Sequence, residues 1–182
     1  MENRYPRVEI NLDHLQQNVS RVVERCGSFG IQVAGVIKGA TGLPEVAKAF
    51  DKGGATFIAS SRLEQLEDAI YAGIEKPMML IRIPMLSEVK DVVRLADISL
   101  NSEFEVIKAL NEEARRQGKL HKVILMADMG DLREGYWDKD EIVDVAEYIE
   151  NKMINIQLVG VGTNLGCYGS ISPTAEKLEE LV

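Results

Sequence analysis

The chain alternates short apolar runs with longer amphipathic stretches. Ile31–Ile37, Ala55–Ala59, Pro77–Ile83, Ala96–Leu100, Lys122–Asp128 and Ile156–Thr163 read as strands. Their apolar residues are continuous rather than alternating, the pattern of parallel strands covered on both faces. Between them lie segments of helical period. Leu12–Cys26 places Leu12, Leu15, Val19, Val22 and Val23 on one face. Pro44–Asp51, Arg62–Ala72, Glu88–Leu95, Glu103–Gln117 and Lys139–Lys152 follow, and Ser172-Pro173 opens a last helix that is still running at Val182. Ser61 with Glu64 and Ser102 with Glu105 predict capping boxes, Ser87 predicts a further cap, and Gly73 and Gly118 predict helix stops. Ahead of the first helix, Arg7–Asn11 alternates as a short additional strand would.

Six βα units in series allow an open doubly wound sheet or a (β/α)8 barrel. Two features favour the barrel. The units recur every ~20–35 residues, as eight units in about 250 residues require. Polar residues gather at the strand C-terminal ends: Lys38, Ser60, Arg82, Asn101, Asp128, and Thr163 with Asn164. In a barrel that rim carries the chemistry. No GxGxxG follows a strand and no GxxxxGK[ST] is present, so the nucleotide-binding sheets lack their phosphate loop. Residues 1–182 are therefore expected to form about six of the eight units, as the N-terminal barrel domain of a longer polypeptide. A complete six-stranded open sheet is the alternative.

Composition narrows the partners. With 182 residues, 46% hydrophobic and 27% charged, the chain suits one sizeable core. Its 21 basic and 29 acidic residues leave a net charge of −8, which argues against nucleic acid and anionic membranes. The longest apolar runs, such as Met78–Ile81 and Val123–Ala127, fall far short of the ~20 residues that span a bilayer. Cys26 and Cys167 are far apart, and His14 and His121 are isolated. That spacing predicts neither a disulfide nor a metal site, and suits the reduced cysteines of a cytoplasmic protein.

Three segments could carry chemistry. Lys38 ends an apolar strand before the turn Gly39–Gly42. A lysine at the end of a buried strand is predicted to be desolvated, which disfavours its ammonium form and makes it an amine nucleophile. Snorkelling to solvent is the competing reading. Asp128–Gly135 joins a strand-end acid, two glycines and Arg133, as an anion clamp or as a structural loop. Gly162–Gly169 surrounds Thr163 and Asn164 with glycines, either to admit a ligand or to turn the chain. Arg82, before Pro84, is ambiguous in the same way.

These residues carry a resemblance. Val8–Asp13 before a helix and Val36-Ile-Lys38 with Gly42 resemble the alanine racemase superfamily, pyridoxal-phosphate enzymes on a (β/α)8 barrel. Asp128–Gly135 is similar to that family's Asp-Thr-Gly-Met-x-Arg-x-Gly segment, and Thr163-Asn164 lies where alanine racemases have Thr-His. Leu80–Val89, Ala96–Ser102 and Gly162–Gly169 are similar to the ornithine racemase-like branch. The resemblance implies a racemase that interconverts L- and D-amino acids, with pyridoxal 5'-phosphate held by Lys38 as an aldimine. It implies Arg133 at the cofactor's phenolic oxygen, Asn164 below its ring, and Thr163 and Arg82 among the cofactor's neighbours. A full-length homodimer acting on a small-molecule amino acid belongs to the same expectation.

Departures from the family pattern are visible too. Met126 stands where many alanine racemases have a lysine. Thr41 and Gly42 stand where a phosphate-binding tyrosine is common. The family's remaining cofactor ligands and its second acid/base are expected beyond Val182. Cys167, close in sequence to the rim segment, is a candidate second base within this chain, and a buried inert thiol is the competing reading. A non-catalytic pyridoxal-phosphate carrier and a barrel without cofactor are the rival readings.

Overall fold

The computed structural model describes residues 6–166 and 171–182. The strands are β1 (Ala34–Val36), β2 (Phe57–Ser60), β3 (Met78–Leu80), β4 (Ile98–Asn101), β5 (His121–Met126) and β6 (Ile156–Gly162). The helices are α1 (Leu12–Gly27), α2 (Pro44–Lys52), α3 (Leu63–Tyr71), α4 (Val89–Leu95), α5 (Phe104–Gln117), α6 (Lys139–Lys152) and α7 (Ala175–Leu181). Two units divide the chain, one of residues 1–60 and 64–77, the other of residues 61–63 and 78–182.

In the first unit β1 and β2 pair in parallel, with Ala34 opposite Phe57 and Val36 opposite Ala59. Helix α1 starts where the Asn11 side chain accepts a hydrogen bond from the His14 N–H at 2.9 Å, a cap that satisfies one orphan amide. Phe50 of α2 covers β1 at Gly35, where a Cβ would lie 2.7 Å from its ring. Glycine at 35 therefore lets the helix approach the strand. Ile37, Ala47, Ile58, Leu66 and Ala69 form the buried core of this unit.

In the second unit β3 to β6 pair in parallel, in chain order. Helix α5 buries Val106, Ile107, Leu110 and Ala114, the helical spacing of a core-facing stripe. It ends at Gly118 in the left-handed conformation, φ +64°, as its glycine predicts. Phe104 meets Tyr148 of α6 edge to face at 5.0 Å. Among the described residues no helix is long and apolar enough to cross a membrane, and no three His, Cys, Asp or Glu side chains gather as metal ligands.

Several local expectations are corrected. Arg7–Asn11 forms no strand. Val8 is 91% exposed, and alternation alone cannot hold a strand without a neighbour's N–H and C=O groups. Helix α5 begins after Glu103 with no side-chain cap, so the Ser102 box is not made. Ser87 lies inside a 3₁₀ turn, Leu86–Glu88, and α4 starts after it at Val89. The cause is a stronger competitor for Glu88. Arg82 Nη1 and Nη2 donate to the two Glu88 carboxylate oxygens at 2.7 and 2.6 Å. Arg82 Nε donates to the Ser61 carbonyl at 2.7 Å, and Glu88 also accepts from the Met85 N–H at 3.2 Å. A forked guanidinium–carboxylate pair outweighs a neutral hydroxyl cap. It also holds the Glu88 carboxyl below its ordinary pKa of 4.5.

A buried polar chain crosses β4 and β5. Asn101 Nδ2 donates to the Ser99 hydroxyl oxygen at 3.0 Å and to the Ser99 carbonyl at 2.9 Å. Ser99 Oγ lies 2.8 Å from His121 Nε2. A neutral imidazole can share a hydrogen bond with this hydroxyl in either tautomer. Burial drives the His121 pKa down from 6.5 to about 4.

Two outcomes follow. Between pH 6.5 and about 4 the unfolded chain binds a proton that folded His121 refuses. This contribution to stability is complete above the unfolded pKa and is lost as pH falls, by up to about 1.4 kcal/mol per pH unit. Urea unfolding from neutral pH to about pH 5 should show that slope, and His121→Gln should flatten it; an unchanged slope in the variant would refute the assignment. Arg82→Lys and Glu88→Gln are each expected to lower the unfolding free energy by about 1–2 kcal/mol. The double variant should lose less than the sum; strict additivity would show that the two groups do not act as a pair.

Candidate active site

Lys38 opens a 3₁₀ turn, Lys38–Ala40, directly after β1. The ladder runs up to it, since the Ile37 N–H donates to the Ala59 carbonyl at 2.9 Å. The chain then reverses through Thr41 and Gly42, at φ +53° and +77°. A Cβ on Gly42 would lie 2.5 Å from the Gln65 side chain. Gln65 is itself held by the Ser60 hydroxyl, which donates to its Oε1 at 2.6 Å. Ser60 and Gln65 are buried, so the lysine turn rests against a fixed wall of its own unit. The side chain differs from expectation. Ile37 takes the buried position and Lys38 is exposed, because the turn begins at the lysine and lifts it off the core. The desolvated amine expected from the strand-end position is not observed.

In the second unit the segment after β5 closes on itself. The Tyr136 N–H donates to the Met126 carbonyl at 2.7 Å, and the Asp128 N–H donates to the Tyr136 carbonyl at 2.9 Å. Gly135 makes this closure possible. It sits at φ +126°, and a Cβ there would lie 2.4 Å from the Asp128 backbone nitrogen. Asp128 Oδ1 accepts from the Gly130 and Leu132 N–H groups at 2.8 and 3.1 Å, so its carboxylate is committed to shaping the loop. The tip carries Arg133 and Glu134.

Thr163 and Asn164 follow β6. The Asn164 Nδ2 donates to Glu134 Oε1, and Arg133 Nε lies 3.7 Å from the same oxygen. Two residues expected at the cofactor, Arg133 and Asn164, are thus brought to one carboxylate. Thr163 Oγ1 is buried without a hydrogen-bond partner among the described residues. Arg82 lies at the end of β3 with its guanidinium turned to Glu88 and Ser61. Cys167 lies outside the described residues.

Two groups gain their significance only from contacts and burial. Glu134 reads as a solvated loop acid, and only its contacts across 30 residues reveal otherwise. Tyr136 is buried with a hydroxyl that has no hydrogen-bond partner among the described residues, and burial, then the charges of Glu141 and Glu103, push its pKa up to about 12. Its signal is an aromatic residue directly after a glycine that closes a loop. An open cleft of about 480 Å³ is lined by Ile83, Ser102, Glu103, Arg133, Glu134 and Trp137 among others.

With this geometry in view, comparison with known proteins is informative. The chain is 38% identical over 178 residues to an ornithine racemase from Acetoanaerobium sticklandii, covering 97% of this chain and 49% of that protein. It is 39% identical over 178 residues to a lysine racemase from Thermotoga maritima, covering 98% and 49%. The chain therefore spans about half the length of the curated relatives it matches. Among solved structures it superposes on alanine racemase from Streptomyces lavendulae with a TM-score of 0.76 at 21% identity, over 93% of this chain and 44% of that one. D-threonine aldolase from Filomicrobium marinum gives a TM-score of 0.76 at 16% identity, over 87% and 43%. These likenesses give the fold, six parallel strands of a (β/α)8-barrel type. The family model described as alanine racemase, N-terminal domain, matches residues 10–182, and the chain belongs to that family.

Proposed function

We propose that this chain is the cofactor-binding portion of a pyridoxal-phosphate-dependent amino-acid racemase. The observation that carries the reading is the match, over nearly the whole chain, to relatives named ornithine racemase and lysine racemase. The donor set fits pyridoxal phosphate. Lys38 offers an exposed primary amine on a braced turn. Arg133 offers guanidinium N–H groups suited to a phenolic oxygen. Thr163 offers a buried hydroxyl with no protein partner among the described residues, the kind of orphan group that a ligand atom or water satisfies.

When bound, pyridoxal phosphate supplies the electron sink that lets an amino acid lose its α-proton. The chain's own part is to hold and orient. Lys38 would hold the cofactor through its amine and move a proton on one face. Arg133, Asn164 and Thr163 would fix the cofactor's polar edge. Racemisation also needs an acid/base on the opposite face; Cys167 is the proposed candidate within this chain. Arg82 is proposed to act at the cofactor indirectly, by bracing the loops through Ser61 and Glu88. A basic amino acid is the proposed substrate class, since Glu103 lines the cleft and would favour an ammonium-bearing side chain. The same reading includes a homodimer in the cytoplasm.

The test is direct. Pyridoxal phosphate added to the protein should give absorbance near the visible edge, and borohydride should fix it on Lys38 as a mass adduct. Lys38→Ala should abolish both and lower racemisation of ornithine or lysine by about 10²–10⁴-fold. Absorbance that persists unchanged in Lys38→Ala would overturn the lysine assignment. Binding without turnover on any basic amino acid would favour a cofactor carrier.

A further inference from the structure

We infer that Glu134 is a positioning residue, which sets the orientation of Asn164 and of Arg133 through a single carboxylate oxygen. As to what it positions, the inference rests on the pyridoxal-phosphate reading; the contacts themselves do not.

The Asn164 amide donates through Nδ2 to Glu134 Oε1. The Arg133 Nε faces that oxygen at 3.7 Å. The Glu134 side chain is only 12% exposed, so this carboxylate is largely withdrawn from water. A withdrawn carboxylate must be compensated, and here the compensation is one guanidinium and one amide. The carboxylate in turn decides which way the amide faces. An asparagine side chain is close to symmetric in shape, and its two ends are distinguished by hydrogen bonding alone. With Nδ2 held by Glu134, Oδ1 is presented on the other side as an acceptor.

The loop makes this orientation firm. Glu134 lies directly before Gly135, whose backbone is pressed against Asp128. Asp128 in turn pins Gly130 and Leu132. The carboxylate therefore projects from a segment closed at its base and braced along its length. Its negative charge also offsets part of the Arg133 charge, so the guanidinium acts as an oriented donor more than as an isolated cation.

Side-chain amide NMR of the ligand-free protein tests the contacts without any cofactor. The signals are assigned by their loss in Asn164→Asp. In the wild type the two Asn164 amide protons should be widely split and slow to exchange. Glu134→Gln keeps an acceptor oxygen and should preserve the splitting. Glu134→Asp keeps the charge but shortens the reach and should collapse it, as should Glu134→Ala. The Asn151 amide, held by the Glu147 carbonyl at 2.8 Å, serves as the folding control. If Glu134→Ala fails that control, the contrast between Gln and Asp decides. An Asn164 signal that is the same in all folded variants would overturn the inference, whatever pyridoxal phosphate does.

A second measurement reads the consequence for the cofactor. Cofactor dissociation constants, taken from absorbance, should rise about tenfold in Glu134→Asp and less than threefold in Glu134→Gln. Equal affinities alongside a collapsed Asn164 signal would overturn the positioning role while leaving the contact in place. Absence of cofactor absorbance in the wild type would overturn the pyridoxal-phosphate reading and leave the Glu134 contact to be judged by NMR alone.

Discussion

The rim of the second unit depends on one backbone closure, the return of Tyr136 to the end of β5. Its two hydrogen bonds, at 2.7 and 2.9 Å, bring the chain back within a few ångströms of Asp128. The approach leaves no room for a Cβ at Gly135. Because the loop is closed at its base, the residues at its tip have fixed addresses. Arg133 and Glu134 are the charged pair at those addresses, and Asn164 is reached from β6. The β5–β6 ladder supplies the other half of the constraint, since the Ala127 N–H donates to the Gly162 carbonyl at 2.8 Å just before Thr163 and Asn164 begin. The candidate site residues of this unit thus stand on two adjacent strand ends whose backbones are already closed by hydrogen bonds. Such preorganisation is what makes oriented donors effective.

Polar groups in this unit divide by how completely they are satisfied. His121, Ser99 and Asn101 form a buried series in which each donor finds an acceptor, and the ring is kept neutral by burial. A network of that kind fixes β4 against β5 and has structural work to do. Acceptors remain open in this unit, since Asn101 Oδ1 and Thr163 Oγ1 are both buried and unpartnered among the described residues. Where a fold leaves a hydroxyl unsatisfied at a strand end, a ligand or water is the natural completion.

Much of this was legible in the sequence for physical reasons. Continuous apolar runs mark strands covered on both faces, and the parallel pairings follow. Helix α6 matches its expected span, Lys139–Lys152, because Asp138 caps it, accepting from the Asp140 N–H at 2.9 Å. The failures share one cause, partners distant in sequence or absent. Ser87 looks like a cap until Arg82 claims Glu88. Arg7–Asn11 looks like a strand until the neighbour it needs is missing from the described residues. Glu134 looks like a solvated acid because its partner lies 30 positions away. Lys38 stands where the apolar run ends, yet it is exposed rather than buried, since a turn that begins at a residue lifts its side chain off the core.

Lys38 and the Arg133–Glu134–Asn164 group are each prepared by contacts inside their own unit. Ser60 and Gln65 brace the lysine turn, and Gly135 with Asp128 braces the loop. Each brace is made of residues of its own unit. The asparagine at 164 gives this separation its chemical meaning. An imidazole can itself take or give a proton near neutral pH, whereas an amide cannot. At position 164 the amide can therefore orient a neighbour by hydrogen bonding but cannot shuttle a proton. Orientation by an amide requires a partner that fixes its two ends, and the carboxylate of Glu134 meets that requirement.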